Sequence, residues 1–425
     1  MKKIKEKIYR RLTREYWEYK YVSYKARLIK PIYQKFIIPQ KVKTLRKKKE
    51  IKVLFVLHEL GSWKTETLYL RMLQNPRFKT QLLLVPTVEK YSFNILKEYL
   101  NKRGYPYEII DKGESIKNKL HPDIIFYGKP YQGILHWKFF FENNLYALFC
   151  NVAYCFRNRN SPHLKKIFFS EYVWQEYVEN YKIIEEKYNI LKCNVKNLIN
   201  TGLPIMDTLL LNKLYFEDPW LPLPNNKKRI IYAPHHTLET PTATFSSPFY
   251  YSTFLEYADF MLAMAEKYQD KVQWAFKPHP LLRSKLYEVW GTEKTDDYFK
   301  RWNDMENTQI DEGEYMGLFK HSHAMIHDCG SFKLEYLYTN NPVMYLLKEK
   351  TEYDYENWQT TKALELHYKG KNKTDIEQFI LNVIDDKDIM KEERKEFVDK
   401  YLTPPNGKSA CDNIIHAILG EEEYA

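Results

Sequence analysis

Three short polar runs, each directly after an apolar one, carry the side chains best suited to handling an anion. They are Tyr232-Ala-Pro-His-His-Thr237, Phe276-Lys-Pro-His-Pro280 and Ile326-His-Asp-Cys-Gly-Ser-Phe332. In an open parallel sheet, ligands bind beyond the carboxyl ends of the strands, where loops lead into helix N-termini. Three such loops on successive predicted strands point to one shared pocket. In the third, Gly330 permits a tight turn and close backbone approach, and Ser331 starts a helix whose exposed N–H groups would hold a phosphate. Glu335 follows four residues later on the same face, where its carboxylate could accept hydrogen bonds from a ribose diol; a plain serine cap with a surface glutamate fits the same residues. Lys277 and His279 flank Pro278, and the prolines hold the loop extended. Cations so placed would neutralise charge on a leaving nucleoside phosphate. Of His235 and His236, one is expected to meet phosphate and the other to be structural, in an order the spacing leaves open.

The elements that must position these loops alternate along the chain. Ile51–Leu57, Leu82–Val85, Glu108–Ile110, Asp123–Phe126, Lys166–Phe169 and Lys196–Ile199 read as strands, with helices at Trp63–Leu73 and Phe93–Asn101. After the turn-rich Thr201-Gly-Leu-Pro-Ile-Met-Asp207 and a proline-containing stretch, a second series begins. Its strands are Arg229–Ala233, Val272–Phe276, Ala324–His327 and Pro342–Leu346, and its helices Tyr251–Tyr268, Leu281–Trp290 and Phe332–Tyr338. Such alternation marks parallel sheets covered by helices. The expected class is α/β, with a basic aromatic arm over 1–49, an N-terminal lobe over 50–210, and a C-terminal lobe over 211–425 that ends in closing helices.

Charge is concentrated in the arm. Residues 1–50 hold 18 Lys/Arg against 4 Asp/Glu, a net +14, so of the overall +11 the remainder carries −3. That distribution argues against a nucleic-acid-binding surface over the whole body. With Tyr9, Tyr16, Trp17, Tyr19, Tyr21 and Tyr24 among the cations, the arm suits an anionic membrane surface, and a solvated helix packed on the body is the alternative. Helix is expected there up to Lys30, before Pro31. No stretch has the roughly 18 to 20 unbroken apolar residues of a membrane span. The N-terminus lacks the apolar core of a secretory signal. Five scattered cysteines fit a reducing compartment. The expected location is the cytoplasm, peripheral to the inner face of the cell membrane.

These loops, in this order, resemble the CDP-glycerol glycerophosphotransferase family of teichoic acid and capsule enzymes. The resemblance rests on Tyr232–His236, Lys277–Pro280, Asp328-Cys-Gly-Ser331 with Glu335, and the segment 201–207. It implies the GT-B architecture: two Rossmann-like lobes with a cleft between them. It also implies donor-binding roles for His235, His236, Lys277, Asp328, Gly330, Ser331 and Glu335, with His279 catalytic. The family's Pro-Thr-x-Arg segment is replaced here by Pro234-His-His-Thr, and its N-terminal-lobe His-Gly pair is absent. His58, after the first strand, is the preferred substitute for the general base, ahead of His136.

The implied reaction moves glycerol phosphate, or a related polyol phosphate, from a CDP-activated donor to a hydroxyl of a cell-surface polysaccharide or teichoic-acid-like acceptor, with neither cofactor nor metal. The alternatives are a sugar transferase using a nucleotide-sugar, a membrane-attached scaffold without activity, and a metal hydrolase built on His235/His236 and His321/His323.

Overall fold

The structure, a computed structural model, describes residues 14–85, 90–110, 114–128, 137–153, 155–157, 172–189, 195–210, 217–223, 226–238, 251–313, 315–348 and 357–421. The chain divides into two compact units: Met1–Cys155, Pro162–Asp207 and Pro404–Ala425 form unit 1, and Phe156–Ser161 with Thr208–Thr403 form unit 2.

Unit 1 is built on β1 (Ile51–Leu57), β2 (Phe78–Leu84), β3 (Glu108–Ile109), β4 (Ile124–Tyr127), β5 (Leu148–Val152), β6 (Val173–Val178) and β7 (Leu198–Asn200). They form one parallel sheet in the order β3-β2-β1-β4-β5-β6-β7. The near-continuous apolar run of β1 is buried on both faces, as a helix-covered parallel strand requires. The expected strand at Lys166–Phe169 lies outside the described residues. β5 and β6 were not expected. In β6 the polar Gln175 and Glu176 interrupt the apolar pattern, yet both are buried with partners. Gln175 donates to Ala417 O at 3.0 Å and accepts from Tyr177 OH at 2.6 Å, while Lys187 meets Glu176 at 2.9 Å.

The helix of the arm continues past Lys30, its expected end. A helix over Arg14–Ile32 runs through Pro31 into a π-helical turn at Tyr33–Ile37 and a further helix at Ile38–Lys47. Proline removes one backbone donor, and the wider turn follows directly after that lost bond. Ser23, Ala26 and Tyr33 are buried on the unit 1 side, with Tyr33 OH donating to Ala147 O at 3.1 Å.

The last helix, Ala410–Leu419, was expected to close the C-terminal lobe, but it belongs to unit 1. Its first N–H groups explain why: Ala410 and Cys411 donate to the two carboxylate oxygens of Asp207 at 2.8 and 2.9 Å. The carboxylate thus satisfies donors that the helix leaves unpaired. Gly202 lies in the left-handed region at φ 78°, and a Cβ there would sit 2.8 Å from Pro404. The turn 201–207 and the C-terminal segment are therefore fitted to each other.

Unit 2 holds β8 (Lys228–Ala233), β9 (Val272–Phe276), β10 (Thr308–Ile310), β11 (Ala324–His327), β12 (Val343–Leu346) and β13 (Tyr368–Gly370). This second parallel sheet has the order β10-β9-β8-β11-β12-β13. Its core is aromatic: Phe276 stacks on Trp302 at 5.1 Å, and Trp274, Tyr232 and Phe254 are fully buried beside them. The short strands β10 and β13 were not expected. The helix expected from Tyr251 begins at Phe254, and that expected over Phe332–Tyr338 is α-helical only to Glu335 before tightening to a 3-10 turn. Among the described residues no helix is long and apolar enough to cross a membrane.

Candidate functional site

The strand order of unit 2 decides where its loops meet. From β8 the chain builds outward through β9 to β10, then crosses to the other side of β8 to lay down β11. The switch point falls between β8 and β11, which is where doubly wound sheets hold their ligands. Pro234, His235 and His236 follow β8, and Asp328 follows β11.

Asp328 ties the two loops together. Its fully buried carboxylate accepts the backbone N–H groups of His235 and Thr253, each at 2.6 Å, and the hydroxyls of Ser252 and Thr253, each at 3.0 Å. Burial pushes this carboxyl up, opposed by the hydrogen bonds from Thr253, His235 and Ser252. Thr253 holds the N-cap position of the helix Phe254–Lys267, and its N–H and hydroxyl both go to Asp328, so the carboxylate lies at that helix's positive end.

Three imidazoles gather beside this brace. Ring centroids lie 4.3 Å apart for His235 and His236, 4.8 Å for His235 and His279, and 4.0 Å for His236 and His279. One ring nitrogen from each lies within 4.8 Å of the others, and all three residues are half-buried. The backbone joins the loops as well, His279 N–H donating to Pro234 O at 3.0 Å. His235 is fixed by Thr237 Oγ1 at 3.1 Å from Nδ1 and by Tyr251, which stacks on its ring at 5.0 Å. Burial lowers the His235 pKa to about 2, with His236 and His279 adding repulsion; burial also lowers His236 to about 4. Both rings are therefore neutral at physiological pH. His279 Nδ1 accepts the Leu281 N–H at 3.1 Å, which places the proton of its neutral ring on Nε2. The trio is thus a set of neutral donors and lone pairs.

The other expected site residues are engaged within the protein. Lys277 is buried, with Nζ 2.9 Å from Asp311 Oδ1 and 2.9 Å from Gly313 O. Glu335 is buried and accepts from Tyr315 OH at 2.5 Å. Gly330 and Ser331 are half-buried after β11. Gly330 has no left-handed φ, and a Cβ there would meet only Tyr251 OH, at 3.5 Å. Ser331 makes no side-chain cap bond to the four-residue helix it precedes.

His58 lies in unit 1, buried just past the end of β1, at that sheet's own switch point between β1 and β4. His136 lies outside the described residues. His321 and His323 do not join the cluster. His323 Nδ1 accepts Arg229 N–H at 3.0 Å, and His321 sits 3.9 Å from Asp218. Sequence reasoning missed Tyr251, Ser252 and Thr253, having assigned them to a helix. The signal available was a Ser-Thr pair directly before an apolar helical run, the composition of a capping segment.

No curated protein matches the chain. Among solved structures, the wall teichoic acid polymerase TagF, as a histidine variant soaked with CDPG, aligns with a TM-score of 0.57 at 14% identity over 93% of this chain and 98% of its own. A second histidine variant of TagF gives 0.56 at 14% identity, over 94% and 98%. UDP-GlcNAc 2-epimerase from Neisseria meningitidis, bound to UDP-GlcNAc, gives 0.52 at 13% identity, over 88% and 100%. At such identities these structures establish the fold, an α/β architecture of the GT-B type. A family profile described as CDP-glycerol:poly(glycerophosphate) glycerophosphotransferase matches residues 160–420, more than half of the chain and nearly all of unit 2. The chain belongs to the CDP-glycerol:poly(glycerophosphate) glycerophosphotransferase family and is an enzyme of glycerophosphate transfer.

Proposed function

We propose that this enzyme holds the diphosphate of CDP-glycerol against His235, His236 and His279 and passes glycerol phosphate to a hydroxyl of a cell-surface polysaccharide or teichoic-acid-like acceptor. The observation that carries the reading is the convergence of three neutral imidazoles at the β8/β11 switch point. An acceptor hydroxyl loses its proton to a base, for which His58 is the candidate, and its oxygen attacks the phosphorus bearing glycerol. The bond from that phosphorus to the bridging oxygen breaks, and CMP leaves with the electron pair. The Nε2–H of His279 donates to the leaving phosphate, where charge grows fastest. Protein donors placed in this way do the work that a metal ion does elsewhere, so the transfer proceeds in excess chelator. Asp328, Lys277 and Glu335 position the loops from beneath, while Gly330 and Ser331 border the donor.

The arm is proposed to hold the enzyme on the inner face of the cell membrane, near a lipid-linked acceptor. Trp17, Tyr21, Tyr24, Leu28, Ile32 and Phe36 are exposed, at 55 to 66%. Their spacing of three to four residues puts them on one side of the helix, away from Ser23, Ala26 and Tyr33. Exposed Lys20, Lys25, Arg27 and Lys35 border the stripe. Aromatic groups flanked by cations match an anionic headgroup layer.

The test is release of CMP or UDP from CDP-glycerol, CDP-ribitol and a panel of UDP-sugars, with His279→Ala as control. Turnover of CDP-glycerol that disappears in the variant supports the reading. Turnover confined to a UDP-sugar replaces it with the sugar-transferase alternative.

A further inference from the structure

We propose that His235, His236 and His279 also form a binding site for a late first-row divalent ion, zinc foremost, and that the bound ion excludes the donor diphosphate. The second half rests on the donor-binding role given above; the first rests on geometry alone. Three nitrogen donors within 4.8 Å of one another, with no carboxylate among them, are the ligand set of zinc, nickel or copper. Magnesium and calcium select oxygen. The rings must close to about 3.3 Å between nitrogens, the spacing of two ligands each roughly 2.0–2.1 Å from a tetrahedral ion. Half-buried side chains in loops allow that adjustment.

Other observations favour coordination. His236 Nδ1 is buried with no hydrogen-bond partner. His235 has an outer shell, with Thr237 Oγ1 at 3.1 Å from its ring and Asp328 holding its backbone N–H at 2.6 Å. Such partners orient metal-binding histidines. Two features limit affinity: Tyr251 OH lies 3.5 Å from His235 Nε2 and must give way to an ion, and His279 is tied to its own loop. His279 accepts Leu281 N–H through Nδ1, so coordination by Nε2 moves its proton to Nδ1 and breaks that bond. Micromolar binding is therefore expected. Once coordinated, His279 no longer presents Nε2–H to a phosphate, and the ion occupies the space between the rings. Zinc should act as an inhibitor.

The experiment is equilibrium dialysis of chelator-stripped full-length protein against zinc chloride, with metal analysis, alongside CMP release from CDP-glycerol. Expected is one zinc per chain, weakened on the order of tenfold or more by His236→Gln and by His279→Gln. Circular dichroism and thermal melting establish that both variants fold. Zinc should slow wild-type transfer competitively with CDP-glycerol, with chelator restoring the rate. No saturable uptake, or uptake unchanged in both folded variants, overturns the site. Uptake by the trio without slowing of transfer overturns the exclusion. Zinc uptake intact with no turnover of CDP-glycerol sinks the proposed function and leaves the site standing.

Discussion

The carboxylate of Asp328 accepts the backbone N–H of His235 at 2.6 Å, across the point where the strand order of unit 2 reverses. One buried charge thereby fixes the loop after β8 to the loop after β11, and through Ser252 and Thr253 to the helix that follows. The three-histidine cluster is held in place by this link.

Replacing that charge should loosen the cluster. Asp328→Asn keeps the shape but turns an amide donor toward groups that donate. A loss of about 2–4 kcal/mol of stability is expected, with weaker binding of CDP-glycerol. Urea unfolding and calorimetry of donor binding check this. Wild-type values in both would show that the carboxylate does not brace the loops.

Removing His279 should affect chemistry more than folding. His279→Ala is expected to reduce kcat by ~100- to 1,000-fold, the usual consequence of deleting one donor to a developing anion. Its melting temperature should stay within a few degrees of wild type, because the ring is only half-buried. Steady-state kinetics and a thermal melt decide the matter.

Lys277 should act through its partner. Since its ammonium is bound to Asp311, Asp311→Ala ought to impair the enzyme about as much as Lys277→Met. Breaking a buried pair from either side leaves the other charge uncompensated, at a cost of about 3–5 kcal/mol. If Lys277→Met abolishes donor binding in a protein of full stability while Asp311→Ala leaves binding intact, the lysine contacts the donor directly.

Acid should destabilise unit 2. His327 is fully buried, and burial lowers its pKa from 6.5 to about 3, with Lys333 adding repulsion. Below pH 6.5 the unfolded chain takes up a proton that the folded chain refuses. The contribution of neutral His327 is therefore complete above pH 6.5 and is lost as the pH falls toward 3. Stability measured by urea unfolding between pH 7.5 and 4.5 should decline, and His327→Gln should flatten the slope whatever its absolute stability. An unchanged slope would count against this assignment.

The arm should carry membrane affinity. Replacing Trp17, Tyr24 and Leu28 together by Ser is expected to reduce co-sedimentation with phosphatidylglycerol vesicles by roughly tenfold or more without lowering the melting temperature. Added salt should weaken wild-type binding, since part of the attraction is screened. Equal sedimentation of variant and wild type would leave the stripe without a role at lipid.

The sequence by itself determined the class of the fold and the place of the three polar loops after the strands of unit 2. Apolar runs such as Ile51–Leu57 and Val272–Phe276 have one low-energy use, as strands covered on both faces, and the polar groups after them fall at strand ends. It also determined that positive charge is local to the arm. The tertiary structure decided which groups each side chain meets. Lys277 and Glu335 read as ligand contacts from their charge and place, and Asp328 from the family resemblance; their partners Asp311, Tyr315 and Thr253 are 20 to 75 positions away along the chain. β6 escaped notice because Gln175 and Glu176 break its apolar pattern, and only distant partners make their burial tolerable. The helix Ala410–Leu419 joins unit 1 for the same reason, since the carboxylate that caps it belongs to Asp207. Apolar runs are visible locally, whereas hydrogen-bond partners are chosen by the folded chain.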